Sequence, residues 1–184
     1  MTLDDIRSTL FAAALRQLLA DTLQPSERVL WQGQPDGLAI MRMWRFLWWA
    51  GVPWLALTVL VIWLGGIGEF AMFFVLIGAM MVTAPVVMLL QDLQTLFVIT
   101  DRRALILRTA WGRRQATGTA FKAMDAELET LDIGRGVGHL NFASRVSARS
   151  PDADYTGRYG FRCVRDPVRV GEILDRARGE RRPT

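Results

Sequence analysis

The chain of 184 residues is poor in the side chains that carry most enzyme chemistry. His139 is its only histidine and Cys163 its only cysteine, so an internal disulfide is excluded and a His/Cys metal site is not available. The single cysteine is consistent with a reducing compartment. No nucleophile elbow and no phosphate-binding loop occurs either. These absences predict a protein with no catalytic residue, no bound metal and no cofactor.

Positive charge is present but thinly spread. The formal net charge is +4, and Lys122 is the only lysine among 22 basic residues. A nucleic-acid-binding surface needs basic residues clustered with groove-reading or aromatic elements, so we expect no nucleic-acid partner. Residues 1–20 carry Asp4, Asp5, Arg7 and Arg16 and lack the uninterrupted apolar h-region of a signal peptide. The N-terminus therefore does not resemble a secretory signal peptide.

Charge is almost absent from Phe46 to Leu90, where Glu69 is the only charged residue. The run divides into two uncharged stretches, Phe46–Gly68 and Phe70–Leu90, and each reaches the about 20 residues that cross a bilayer. The glycine-rich break at 65–69 can turn between them. Two helices buried in a soluble core are the alternative, but the remaining chain is too short to surround them. We predict a transmembrane hairpin.

Arginines flanking the apolar run predict its orientation. Arg42 and Arg45 precede it, the connector has no basic residue, and five arginines follow it: Arg102, Arg103, Arg108, Arg113 and Arg114. Both termini should then be cytoplasmic, in a multi-pass protein of the cytoplasmic (inner) membrane. The stretches contain no ionisable residue at mid-depth, so the hairpin is predicted to be an anchor and not an ion path.

Five segments follow from these patterns. Residues 1–22 form an amphipathic helix, 23–43 a pre-membrane strand segment, 44–68 and 69–91 the two transmembrane helices, and 92–184 a cytoplasmic domain. In the first helix, the apolar residues recur at helical spacing: Leu3, Ile6, Leu10, Ala14 and Leu18. This helix can pack against the last domain or lie on the membrane, and the sequence leaves both open.

The last domain is predicted to be rich in strands. Thr95–Thr100 and Ala104–Thr109 form a hairpin, and 139–142 and Tyr159–Val164 alternate as strands do. Residues 120–131 are ambiguous between strand and helix, and 147–157 are predicted to be an exposed loop. Asp166 and Pro167 suit the N-cap and first position of a closing helix, whose apolar face is Val170, Ile173, Leu174 and Ala177.

The predicted fold class is therefore an α+β membrane protein, with a small β-barrel or β-sandwich capped by a C-terminal helix. The glycines at 134, 136 and 138 do not have the G-x-G-x-x-G spacing of a dinucleotide site, and they precede a strand. A glycine-rich β-turn is the preferred interpretation over phosphate binding.

Four short motifs, in this order and spacing, resemble those of bacterial membrane proteins with a pleckstrin-homology-like domain. They are Glu27-Arg28-Val29-Leu30-Trp31-Gln32-Gly33-Gln34-Pro35, Phe97-Val98-Ile99-Thr100-Asp101-Arg102-Arg103, Gly136-Val137-Gly138-His139-Leu140 and Asp166-Pro167-Val168-Arg169-Val170. The resemblance covers about residues 26–180. It implies structural roles for Trp31, Gly33, Pro35, Phe97, Thr100, Arg103, Gly136, Gly138, Asp166 and Pro167. Phe97 departs from the family, which commonly has tyrosine there.

The resemblance implies a fold more than a task. The leading hypothesis is a membrane-anchored, non-enzymatic interaction module that binds a protein, an anionic lipid head group or a second copy of itself. The five arginines after the hairpin are its candidate contacts, unless they only set topology. An accessory subunit of a larger membrane complex is the alternative. An enzyme using the acidic run between Asp125 and Asp132 is disfavoured, because such a run is usually a solvated face.

Overall fold

The structure is a computed structural model that describes residues 12–66, 68–110, 112–144 and 158–179. The chain divides into two compact units. One consists of residues 37–91, and the other combines the described residues up to Asp36 with those from Asp92 onward. The second unit is called the domain below. It is thus assembled from chain on both sides of the apolar helices.

Four helices and seven strands make up the described chain. In order they are α1 (Ala12–Thr22), β1 (Val29–Gly33), α2 (Gly37–Trp63), α3 (Ala71–Leu93), β2 (Thr95–Thr100), β3 (Arg103–Ala110), β4 (Arg113–Ala120), β5 (Glu129–Gly134), β6 (Val137–Ala143), β7 (Tyr159–Arg165) and α4 (Pro167–Gly179). Short 3-10 turns occupy Gly68–Phe70 and Phe121–Ala123. The chain is therefore α+β, and both of its sheets are antiparallel.

Helices α2 and α3 coincide with the two predicted apolar stretches and are long and apolar enough to cross a membrane. α2 begins at Gly37, earlier than the predicted residue 44, and its 27 residues extend about 40 Å at 1.5 Å per residue. That length exceeds the about 30 Å of a hydrocarbon core. Only part of α2 therefore needs to be apolar to cross such a core. Its first turns can contain a charged residue, Arg42.

Glycines allow the two helices of this unit to approach each other closely. A β-carbon on Gly51 would lie 2.9 Å from Cβ of Met81, and one on Gly78 would lie 2.6 Å from the Leu55 side chain. The Trp48 indole N–H donates to the Val82 carbonyl at 2.7 Å. Small residues and indole donors thus stabilise the hairpin without ionisable groups.

The domain contains two antiparallel sheets. Sheet A has the order β1-β2-β3-β4 and sheet B the order β5-β6-β7. The predicted strands at Thr95–Thr100, 104–109, 139–142 and Tyr159–Val164 are confirmed, with small changes at their ends. β4 was not predicted, because Arg113–Ala120 is polar and rich in small residues. The ambiguous stretch at 120–131 forms a 3-10 turn and then enters β5.

The core of the domain lies between the sheets and under α4. It is centred on an aromatic stack in which Phe161 lies 4.8 Å from Phe97 and 5.9 Å from Trp31, measured between ring centroids. The predicted apolar face of α4 is confirmed: Val170, Leu174 and Ala177 are buried, and Ile173 packs against the same core. At the start of α4, the Asp166 carboxylate accepts the Arg169 N–H at 3.2 Å, as expected of an N-cap.

Helix α1 packs on the outer face of sheet A. Leu18 is buried there with Val98, Leu105 and Leu107, and Leu15 is also buried. Of the two positions that the sequence left open for this helix, packing against the domain is the one observed. The predicted apolar residues Leu3, Ile6 and Leu10 lie outside the described residues, as does the predicted loop at 147–157.

The glycine-rich segment is a β-turn, as preferred from the sequence. Arg135 and Gly136 adopt φ values of 60° and 70°, which is the left-handed conformation of the tight turn that joins β5 to β6. Gly138 serves a different purpose. A β-carbon there would collide with the Leu131 carbonyl oxygen and lie 2.8 Å from Pro167. Its absence lets β5 and α4 approach β6.

Candidate interaction surface

The predicted arginines lie at two opposite ends of sheet A. Register places Arg103 opposite Ala120 at one end, and Arg108 opposite Thr95 at the other. We call the first the far end and the second the near end, because Thr95 directly follows the apolar helices in the chain. The eight residues of β3 separate the two ends by about 24 Å at 3.4 Å per residue. The structure therefore does not bring the five arginines together.

At the far end, Arg103 is bound inside the domain by Glu27. Its Nη2 and Nε lie 2.9 and 3.0 Å from the two carboxylate oxygens, so the contact is bidentate. Glu27 also accepts hydrogen bonds from the Gln24 N–H at 2.8 Å and the Thr100 hydroxyl at 2.7 Å. Arg103 Nη2 donates in addition to the Thr22 carbonyl at 3.0 Å. This network joins the end of α1, the entry to β1 and the β2–β3 turn.

The same contacts set the ionisation of Glu27. Burial raises the pKa of the carboxyl, but hydrogen bonds from Arg103, Gln24 and Thr100 and the charge of Arg103 outweigh that effect and lower the pKa to about 2. Glu27 is therefore ionised at any physiological pH. A buried charge is costly when it is unpaired. The Arg103–Glu27 ion pair therefore stabilises the contact between the end of α1, the entry to β1 and the β2–β3 turn.

Arg102 also makes contacts within the far end. Its Nη2 donates to the Ser26 hydroxyl oxygen at 3.1 Å, and its backbone N–H donates to Thr100 Oγ1 at 3.2 Å. The neighbouring Asp101 accepts the Arg28 N–H at 3.0 Å. Arg102 and Arg103 thus both contact the segment that leads into β1.

The near end is more open. Arg113 and Arg114 are exposed at the start of β4, and the Nε of Arg108 lies 3.2 Å from the Thr95 hydroxyl. Arg114 lies 3.7 Å from an Asp21 oxygen, but both side chains are more than half exposed, so this ion pair holds the guanidinium weakly. The near end therefore presents cationic side chains to the surroundings.

Both chain connections to the apolar helices start from the near end. Asp36, the residue before α2, donates its N–H to the Cys163 carbonyl at 2.6 Å and accepts the Arg165 Nε at 2.7 Å. Its side chain is buried, so this ion pair fixes the chain where α2 begins. Burial and the carboxylates of Asp92 and Asp36 raise the pKa of Cys163 to about 12. Cys163 is therefore a buried neutral thiol.

The motif residues have structural roles in the domain. A β-carbon on Gly33 would lie 2.5 Å from the Trp31 ring, so glycine lets that indole lie across β1. Pro35 is buried just before the Asp36 contact, and Pro167 is the first residue of α4. Thr100 and Phe97 contribute to the far-end network and the aromatic stack. These residues hold the fold together and do not line a common surface.

The acidic run is engaged in local contacts. Asp125 accepts the Ser144 hydroxyl at 3.0 Å, and Asp132 accepts the Gly134 N–H at 2.7 Å. Glu129 forms an ion pair with Arg158. Among the residues that the structure describes, no group of three or more His, Cys, Asp or Glu could hold a metal ion. The acidic side chains thus bind neighbouring groups of the fold.

Sequence reasoning did not find the two ion pairs that organise the surface. Glu27 lies 76 residues before Arg103, and Asp36 lies 129 residues before Arg165. The available signal was indirect: Glu27 opens one family-like motif, and Thr100 and Arg103 close another. Because both motifs belong to the same resemblance, their polar residues were candidates for a contact with each other.

Comparison of the chain with protein-family models, curated proteins and solved structures finds no match in any of the three. The interaction surface therefore stands on the geometry of the domain alone.

Proposed function

We propose that the chain is an integral protein of the cytoplasmic membrane whose domain acts as a non-enzymatic interaction module at the cytoplasmic face. The near end of the domain, with Arg108, Arg113 and Arg114, holds a protein, an anionic lipid head group or a second copy. The observation that carries the proposal is the position of these arginines. They lie at the end of the domain from which both connections to the apolar helices leave.

The exposure of the apolar helices supports the membrane assignment. Within the most apolar 18-residue window of each helix, only 11 % of the residues are buried. A core helix of a soluble protein would be mostly buried. Leaving this many large apolar side chains in water is unfavourable, and a bilayer removes the cost. Trp49 and Trp63, both strongly exposed, suit the two interfaces of such a bilayer.

The charge pattern supports the cytoplasmic orientation. Arg42 and Arg45 lie in the first turns of α2, and the near-end arginines follow α3. Each cation close to an anionic leaflet contributes about 1 kcal/mol of attraction. A four-stranded and a three-stranded antiparallel sheet closed by α4 support the pleckstrin-homology-like interpretation of the domain.

Thiol accessibility in intact bacterial cells tests the orientation. The wild-type chain is its own blank, because its only cysteine is buried. A membrane-impermeant maleimide should modify a Glu69→Cys variant in intact cells. An Arg113→Cys variant should react only after the membrane is disrupted. Reaction of both variants in a soluble fraction would contradict the membrane assignment, and the reverse pattern would contradict the orientation.

Site-specific photo-crosslinking tests the interaction surface. A photoreactive amino acid at position 113 should crosslink a lipid, a protein or a second copy. The matched control is Lys122, an exposed basic residue beside Ala120 at the far end. Crosslinks of equal yield from both positions would show that the near end is not a specific interaction surface.

A further inference from the structure

Strand β5 exposes apolar side chains at an edge of sheet B. All six of its residues are exposed, and Leu131 and Ile133 are 57 % and 42 % exposed. Leu131 lies opposite His139 in the register, so it projects from the outer face of the sheet and not toward the aromatic core. Ile133 lies at a register shift between Asp132 and Gly134. Large exposed apolar side chains on one strand indicate a contact surface.

The turn that follows β5 ends this surface with a cation. Gly134, Arg135 and Gly136 all have positive φ, which gives a tight turn, and the Arg135 side chain is exposed. Two apolar side chains on a strand, followed by an arginine at the tip, form an amphipathic projection. Such a projection suits the boundary between lipid tails and phosphates.

The position of the turn points to the occupant of this surface. Val137 is opposite both Gly134 on β5 and Arg165 on β7, and Arg165 is bound to Asp36. Two strand spacings of about 4.8 Å therefore separate the tip from the residue that binds Asp36. Since Asp36 directly precedes α2, the β5–β6 tip lies at the same end of the domain as the connections to the apolar helices.

We infer that the β5–β6 hairpin is a second membrane contact, which inserts Leu131 and Ile133 into the lipid interface and places Arg135 at the phosphates. The inference rests on the proposed membrane function and adds to it an apolar contact that the near-end arginines do not provide. The occupant is the bilayer and not a strand of another protein. The tip lies at the end of the domain from which the chain enters α2, where the proposed bilayer is the neighbouring surface.

Environment-sensitive fluorescence on the full chain in phospholipid vesicles tests the inference. A nitrobenzoxadiazole label is attached to an Ile133→Cys variant, with buried Cys163 left in place. The matched control is Leu30→Cys, an apolar residue on β1 that is 46 % exposed near Thr100 at the far end. A Phe73→Cys variant on the outer surface of α3 reports whether the apolar helices are in lipid.

We expect the labels at 133 and 73 to show blue-shifted emission that a quencher on the lipid chains reduces. The label at 30 should show neither effect. Quenching at 73 without quenching at 133 overturns the β5–β6 contact and leaves the membrane function intact. Absence of quenching at 73 overturns the membrane function itself. Quenching at 30 as strong as at 133 also overturns the inference, because both ends would then report the same environment.

If Ile133→Cys does not fold, Leu131→Cys provides the same measurement from another exposed apolar position of β5. An Arg135→Glu variant gives an independent result. In vesicles with anionic lipid it should weaken quenching of the label at 133, whereas in neutral vesicles it should have a smaller effect. No difference between the two lipid compositions would overturn the role of Arg135.

Discussion

The two ends of sheet A carry the same residue type in opposite surroundings. At the far end, Arg103 forms an ion pair with Glu27, whose side chain is fully buried. This pair stabilises the domain. At the near end, Arg113 and Arg114 are exposed beside the connections to the apolar helices. The arginines that follow the two apolar helices are therefore not one functional cluster. Arg103 is held inside the fold, whereas Arg113 and Arg114 are exposed.

The largest effect is expected from removing the chain before the apolar helices. A fragment of residues 37–184 keeps the apolar helices but lacks β1, Trp31 and Glu27, so Phe161 loses a stacking partner and Arg103 its carboxylate. We expect this fragment to show no cooperative thermal unfolding by circular dichroism. A chain that starts at Ala12, which keeps every contact described above, is the control. Cooperative unfolding of the fragment near the temperature of the control would show that the far end is not needed for the fold.

Removal of the far-end arginine should be the next most damaging change. Arg103→Ala leaves Glu27 buried and unpaired, and breaking such a pair costs about 4 kcal/mol of unfolding free energy. Arg113→Ala should change it by less than about 0.5 kcal/mol, as for other exposed residues. Denaturant unfolding of both variants in the same detergent measures the difference. Equal unfolding free energies for Arg103→Ala and Arg113→Ala would contradict the structural difference between the far end and the near end.

Acid should weaken the far end. The pKa of Glu27 is about 2 in the folded chain and 4.5 as its ordinary value, so the group is depressed by folding. Its contribution, about 3 kcal/mol, is fully present above pH 4.5 and is lost as the pH falls from 4.5 toward 2. Stability measured across this window should fall less steeply for Glu27→Gln than for the wild type. Parallel curves would contradict the buried pair.

The smallest effect on stability is expected at the near end. A double variant, Arg113→Glu with Arg114→Glu, loses the exposed Arg114 contacts with Asp21 and Gln17, so its unfolding free energy should stay within about 0.5 kcal/mol of the wild type. Its photo-crosslinking yield to anionic lipid, measured from position 108, should nevertheless fall. Destabilisation as large as that of Arg103→Ala would mean that these arginines hold the fold.

Much of the fold could be predicted because its patterns are local. The apolar helices, the β2–β3 hairpin and the start of α4 at Asp166 and Pro167 depend on neighbouring residues. β4 could not be found in this way, because an edge strand exposed along most of its length needs no apolar alternation. Its identity is set by pairing with β3.

The candidate surface was less predictable than the fold. Sequence reasoning grouped Arg102 and Arg103 with Arg113 and Arg114, since all four follow the apolar run closely. Their separation depends on the length of β3, which runs from Arg103 to Ala110 before the chain turns into β4. The ion pair of Arg103 depends on Glu27, which is 76 residues away in the chain. Such contacts leave no periodic pattern in the chain.

The most direct test of whether the near end faces the membrane is the distance of each end of sheet A from the bilayer. The full chain is reconstituted in vesicles, with a donor fluorophore on an Arg113→Cys or a Lys122→Cys variant and acceptor lipids at the surface. We expect much stronger energy transfer from position 113, because β4 separates the two positions by about 24 Å. Equal transfer, or stronger transfer from position 122, would contradict a near end that faces the membrane.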